Sequence, residues 1–292
     1  LLAQEDGLIN NNLKTVLLLG GLGGLVVYVG SLLGGSNGAT LGLLIALVMN
    51  VGAYFFSDKL ALAASGAKPL APGQLPEVEQ IVSLLAAQQG MPMPKLYLID
   101  APQPNAFATG RNPKHAAVAV TSGILQLMER RELEGVLAHE LAHVKNRDIL
   151  ISTIAATLAS GLVFVSRMAM FGGVGRDRED RPSNPIIMIA GIILAPLAAT
   201  IIQLAISRSR EFQADASGAG VTGQPLNLAS ALRKLEAGTA RIPMQVNPAV
   251  GQLFIADPLH AFSGRRMLKF LATHPPIAER VERLEAMASP IH

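Results

Sequence analysis

Four uncharged stretches, each about as long as a membrane-crossing helix, limit what this chain can become more than any other feature. Residues 15–33, 40–56, 149–165 and 185–207 contain no Asp, Glu, Lys or Arg. An α-helix needs about 20 apolar residues to cross the hydrocarbon core of a bilayer. Half of the 292 residues are hydrophobic, 15% are charged, and mean hydropathy is +0.39, a balance that favours membrane segments over an ordinary soluble globule. The short link Gly35-Ser36-Asn37-Gly38 predicts that the first two runs form a helical hairpin, with Tyr54, Phe55 and Phe56 as an interfacial aromatic anchor. The later pair, joined through 172–184 and interrupted by Pro196, predicts a second hairpin. A cleavable leader does not explain the first run, because the second follows at once. For the later pair, a buried core hairpin of a soluble domain is the other reading.

Between the pairs the composition turns polar. Pro69, Pro72 and Pro76 punctuate a linker, 77–89 has the pattern of an amphipathic helix, and 95–99 and 115–121 read as short strands. Residues 129–150 lack Pro and hold one Gly, Gly135, so they read as one helix running on into the third apolar run. On it lies His139-Glu140-Leu141-Ala142-His143. Residues four apart share a helix face, so His139 and His143 can offer two imidazole nitrogens to one ion while Glu140 leans over it as a base. A surface helix with two histidines meets the same five-residue pattern, so the rest of the chain must decide. With no cysteine present, metal ligands can only be His, Asp or Glu.

Val144-Lys145-Asn146 stand where a His-x-x-Gly-x-x-His extension would continue, so the third ligand is not a nearby histidine. Two spans separate the motif from 208–215, and an even number of crossings returns the chain to the same side. Glu211 fits as a carboxylate that zinc accepts beside two imidazoles. Taken alone it is also an interfacial residue paired with Arg208 and Arg210. Asp215, one helical turn on, faces the same way and can accept the second ring N–H of a ligand histidine. Lys14, Lys59, Lys68, Lys145, Arg147, Arg208 and Arg210 flank the spans on this side, against Arg176, Arg178 and Arg181 on the other, which puts the site in the cytoplasm. A net charge of +3 without a basic run gives no case for nucleic acid.

Taken together the residues resemble the HtpX family, bacterial membrane-embedded zinc proteases related to the CAAX-prenyl proteases. The resemblance runs from Asn12 to the C-terminus. It rests on His139-Glu140-Leu141-Ala142-His143, Glu211-Phe212-Gln213-Ala214-Asp215, Asn105-Ala106-Phe107-Ala108, and Thr273-His274-Pro275-Pro276 with Arg280. It implies one zinc ion per chain on His139, His143 and Glu211, with Glu140 as the base. It also implies a substrate-binding edge strand near 115–121, whose small Ala117 and Ala119 would leave room for substrate side chains, with Asn105 nearby. Active-site roles for His274 and Arg280 follow from the same likeness, either being able to supply the second oxyanion donor. His115 and His260 read as structural or surface residues.

The expected fold is mainly α and integral to the membrane, with four transmembrane helices and a zincin-like α+β metalloprotease domain containing a small sheet. Its expected parts are an N-terminal segment (1–14), a transmembrane hairpin (15–56), the first protease part (57–148), a second hairpin (149–207) and the second protease part (208–292). The expected activity is zinc-dependent endopeptidase cleavage. The resemblance implies misfolded or unassembled membrane proteins as substrates, attacked from the cytoplasmic face of the bacterial inner membrane. A non-catalytic membrane scaffold with a structural metal site is the alternative, though a structural zinc is normally fully ligated and only three good ligands are evident. A transporter is a third reading, but Asn50 and Gln203 make no convincing path within the spans.

Overall fold

In a computed structural model of the chain, the structure describes residues 2–148, 150, 151, 154, 208–241, 253, 255 and 275–289. The later pair of apolar runs falls outside the described residues except for Leu150, Ile151 and Ile154, and so do His274 and His260.

The first pair lies in α1 (Leu2–Ala64), whose residues are helical throughout but which folds back on itself. A straight helix would hold residues 19 and 50 about 46 Å apart. Instead the Asn50 side-chain amide donates to the Leu19 carbonyl at 3.1 Å, and Gly42 lies against the backbone of Val26 and Val27. The reversal is at Gly35, whose φ of +57° a side chain would resist. The expected hairpin is therefore present. Its second arm, Gly35–Ala64, is the one helix among the described residues long and apolar enough to cross a membrane. That arm does not stop at Phe56 as the sequence suggested. No Gly or Pro intervenes between Gly52 and Gly66, and Leu60 to Ala64 are good helix formers. The helix therefore continues for two more turns, and these pack on the β-sheet.

Four strands form one mixed sheet in the order β1-β2-β4-β3: β1 (Lys68–Pro69), β2 (Lys95–Ile99), β3 (Ala106–Gly110) and β4 (Ala116–Thr121). β4 runs parallel to β2, with Leu96 opposite Val118, and antiparallel to β3, with Ala108 opposite Val118. The expected edge strand at 115–121 is thus an interior strand, with neighbours on both sides. Among the described residues the outer strands are β1 and β3, and β3 is one the sequence marked only as a motif.

Alternation along β4 divides its side chains between two cores. Ala116, Val118 and Val120 join Val78, Ile81, Val82 and Leu85 of α2 (Pro76–Gln88) and Val136, Leu137 and Leu141 of α4 (Arg130–Lys145). Ala117 and Ala119 face the other way, onto Ala61 and Leu62 of α1 with Ile99, Phe107 and Leu253. Their small size admits the end of the α1 hairpin. This corrects the expectation that they make room for substrate. Arg111 stacks over Phe55 at 5.2 Å, fastening the same helix to the β3–β4 turn.

After the short α3 (Ser122–Leu127) comes α4, on which α5 (Arg208–Thr222) and α6 (Pro225–Arg241) pack, with α7 (Ile277–Ala288) packed on those two. α4 begins at a capping box, in which Glu129 accepts from the backbone of the third helical residue and Glu132 accepts from the Glu129 amide. Glu132 also takes Ser230 Oγ and Lys234 Nζ of α6, both at 2.7 Å. Burial alone would raise its pKa; the Lys234, Ser230 and Glu129 hydrogen bonds outweigh that and hold it below the usual range. The predicted continuous helix over 129–150 is not what forms. α4 ends at Lys145, the Asn146 and Arg147 amides bond back to Ala142 and Val144, and Arg147 takes a left-handed φ of +58°. The chain then changes direction before Asp148.

Candidate active site

α4 and α5 meet where Gly218 lies on the backbone of His139; a Cβ at Gly218 would come within 2.8 Å of the His139 nitrogen. Glu211, Asp215 and Gly218 recur at helical spacing, so the same close approach turns both carboxylates toward the two histidines. The result is a compact polar centre inside an otherwise apolar interface.

Both rings aim Nε2 inward. His139 Nε2 lies 3.2 Å from His143 Nε2 and 3.8 Å from Glu211 Oε2, and His143 Nε2 lies 3.4 Å from Glu211 Oε1. One ligand atom from each residue falls within 4.8 Å of the others. Donors of a tetrahedral zinc site, with bonds of about 2.0–2.1 Å, stand roughly 3.3 Å apart. Three electron-pair donors gathered at that spacing fit a divalent cation, and the residues present are a match for zinc.

Each ring is held from behind by a carboxylate. Asp215 Oδ1 lies 2.9 Å from His139 Nδ1, and Asp148 Oδ2 lies 3.3 Å from His143 Nδ1. Arg280 in turn grips Asp215 with two hydrogen bonds, Nε to Oδ2 at 2.8 Å and Nη2 to Oδ1 at 2.7 Å. Burial alone would raise the Asp215 pKa, but the Arg280 charge and hydrogen bonds, with His139, bring it to about 2. Burial would lower that of Arg280, and Asp215 more than restores it. Burial drives His139 down to about 4, against the pull of Asp215. At His143 burial acts in the same sense but loses to Glu211 and Asp148, so its pKa rises to about 10.

Glu140 is buried beside β3, an outer strand of the sheet, its Oε2 accepting from the Ala108 amide at 2.8 Å. The base is therefore anchored to β3. Two expected site residues prove to sit elsewhere than a groove. Asn105 is wholly buried, its amide and carbonyl both bonded to Thr121 at the start of β3. Arg280, expected as a donor to an oxyanion, is also wholly buried; it faces Asp215 and His139, with Nη1 3.7 Å from Glu211 Oε2.

Asp148 was not singled out from the sequence as part of this site. It follows His143 by five residues, which on an unbroken helix places it about 140° away around the axis. Only the left-handed Arg147 brings it back. Arg210 is a second such residue: buried beside Asp148 and Glu211, it has a pKa lowered by burial against their opposing charges. No spacing rule points to either.

Two histidines a turn apart, a glutamate between them and a carboxylate ligand from a second helix define a metallopeptidase of the His-Glu-x-x-His type. Residues 72–288 match Peptidase_M48, Peptidase family M48. The chain is 53% identical over 281 residues to a Protease HtpX homolog of Thermodesulfovibrio yellowstonii, covering 95% of this chain and 99% of that one. It is 50% identical over 282 residues to a Protease HtpX homolog of Pelotomaculum thermopropionicum, covering 95% and 99%. The crystal structure of S. mikatae Ste24p superposes with a TM-score of 0.49 at 22% identity, covering 96% of this chain and 66% of that one. The chain belongs to Peptidase family M48 and is a metalloprotease.

Proposed function

We propose that this protein is a membrane-anchored, zinc-dependent endopeptidase, with His139, His143 and Glu211 as ligands and Glu140 as general base. The observation that carries this reading is the convergence of those three donors beside a carboxylate tied to the backbone of β3. Zinc bound there would supply a Lewis acid and bring the pKa of a bound water toward neutrality.

The protein's own residues do the rest. Glu140 takes the proton from the attacking water and passes it to the leaving amine. Asp215 keeps Nδ1 of His139 occupied so that Nε2 presents its lone pair, and Arg280 holds Asp215 in place. His274, outside the described residues, keeps the active-site role that the HtpX likeness gives it. An extended substrate would pair with the outer edge of β3, the strand next to Glu140, with main-chain bonds giving affinity and little dependence on sequence. Ile255 already donates to Ala106 and the Ala108 amide to Glu140, which favours pairing at the Gly110 end.

The proposed architecture is four membrane spans, with 57–148 and 208–292 forming one protease domain around the hairpin at 149–207. We place this domain on the cytoplasmic side of the bacterial inner membrane, where its substrates are misfolded or unassembled membrane proteins. The α1 hairpin and its direct seat on the sheet support an active site held close to the bilayer. In detergent-purified protein, Glu140→Gln is expected to keep one zinc per chain and lose at least a thousandfold in casein hydrolysis. Activity near that of the unmodified protein would remove Glu140 from its role, and absence of zinc from both would remove the centre.

A further inference from the structure

Asp148 is nearly as buried as Asp215 and stands to His143 as Asp215 stands to His139, at Nδ1. Its position is built. Arg147 is the single non-glycine residue of positive φ among the described residues, and without that turn the Asp148 side chain would point away from His143. A non-glycine residue in this region is strained, and such strain persists only where the surroundings impose it. Arg210, buried in the first turn of α5 next to Glu211, sets its charge against that of the same carboxylate.

We propose that Asp148 is a positioning residue of the metal centre, fixing the His143 ring through Nδ1 so that Nε2 faces the ion; the inference rests on the zinc reading above. With Nδ1–H donating to the carboxylate, the neutral ring keeps one tautomer and a more basic Nε2. Asp148 belongs to the segment entering the third apolar run, and Arg210 to the helix following the fourth.

The test uses the full chain in detergent, stripped of metal, with zinc affinity read by competition with a chromophoric chelator and ligand geometry by the visible spectrum of the cobalt-loaded protein. Asp148→Ala is expected to weaken zinc binding by about 10- to 100-fold and to change the cobalt spectrum. Asp148→Asn, which keeps the shape and a neutral acceptor, is expected to lose several-fold; it carries the test by itself should the alanine variant not fold. A carboxylate that merely anchors the turn would lower the melting temperature and leave both readouts unchanged. That result overturns the proposal. Failure of the unmodified protein to bind zinc overturns the centre and this inference together, whereas normal binding by the protein and by both variants overturns the inference alone.

Discussion

His139 and His143 are four residues apart on one helix and aim at the same point, yet they are held by opposite means. His139 is wholly buried under α5, with the Gly218 contact at its back and the Asp215–Arg280 pair behind its ring. His143 is only partly buried and is held at the rim by Asp148 and Glu211. Packing makes the inner ring neutral, at about 4, while charge keeps the outer ring protonated, up to about 10. A metal entering the site meets one ligand already prepared and one that must release a proton. The inner half is thus set by the fold and the outer half by electrostatics, so the two halves should fail differently.

The sharpest way to break this contrast is to remove, on each side, the buried arginine whose charge acts on the carboxylate behind the ring. Arg280→Ala leaves the Asp215 carboxylate buried without its partner, and stripping one member from a buried ion pair costs about 3–5 kcal/mol. Arg280→Lys should recover little, because an ammonium cannot reproduce the two-pronged contact. At the rim, Arg210→Ala is expected to cost less than about 2 kcal/mol, since His143 remains beside Asp148 and Glu211. Denaturant unfolding of the metal-free variants measures both. Equal losses would show that the inner and outer halves are supported alike.

The same contrast marks what could be read from the sequence. Ligand spacing on α4, the return of the chain at Glu211 and the first hairpin all depend on local periodicity or on counting crossings, and these a sequence displays. Asp148 was missed because its role depends on a break in the helix at Arg147, a residue with none of the glycine character that usually announces such a turn. β4 was misread as an edge because pairing partners are a tertiary property: a run of small β-formers looks alike with one neighbour or two. The alanines of that strand were taken for substrate space when their neighbour was to be α1, which the aromatic cluster at 54–56 had seemed to end. Arg280 was tied to the active site by resemblance, but its burial behind Asp215 has no sequence signature.

Titration of the metal-free protein offers a smaller but more diagnostic effect. His139 has a folded pKa below its unfolded value of about 6.5, so between pH 4 and 6.5 the unfolded chain binds more protons and stability rises with pH. His143 has its folded value raised, so its contribution is complete below about pH 6.5 and is lost as pH climbs through about 10. Each group can contribute a slope of up to about 1.4 kcal/mol per pH unit within its own window. Melting curves of the apo protein should therefore show His139→Gln flattening the acid limb and His143→Gln flattening the alkaline limb. Isothermal titration in buffers of different ionisation heat should show about one proton released per zinc near pH 7. Release of two, or of none, would mean that the rings are not differently prepared.

The smallest expected effect concerns the turn that only the outer ring needs. Glycine at position 147 would relieve the left-handed strain of about 1–2 kcal/mol and add about 0.5–1 kcal/mol of chain entropy to the unfolded state. Arg147→Gly should therefore be neutral or stabilising by less than about 1 kcal/mol. Because Asp148 still returns to His143 in that variant, zinc affinity should remain at its original level. The inner ring offers no counterpart, since Asp215 reaches His139 from the regular helix α5 without a strained residue. A clear drop in melting temperature for Arg147→Gly would mean that the guanidinium itself, rather than the backbone geometry, holds the rim in place.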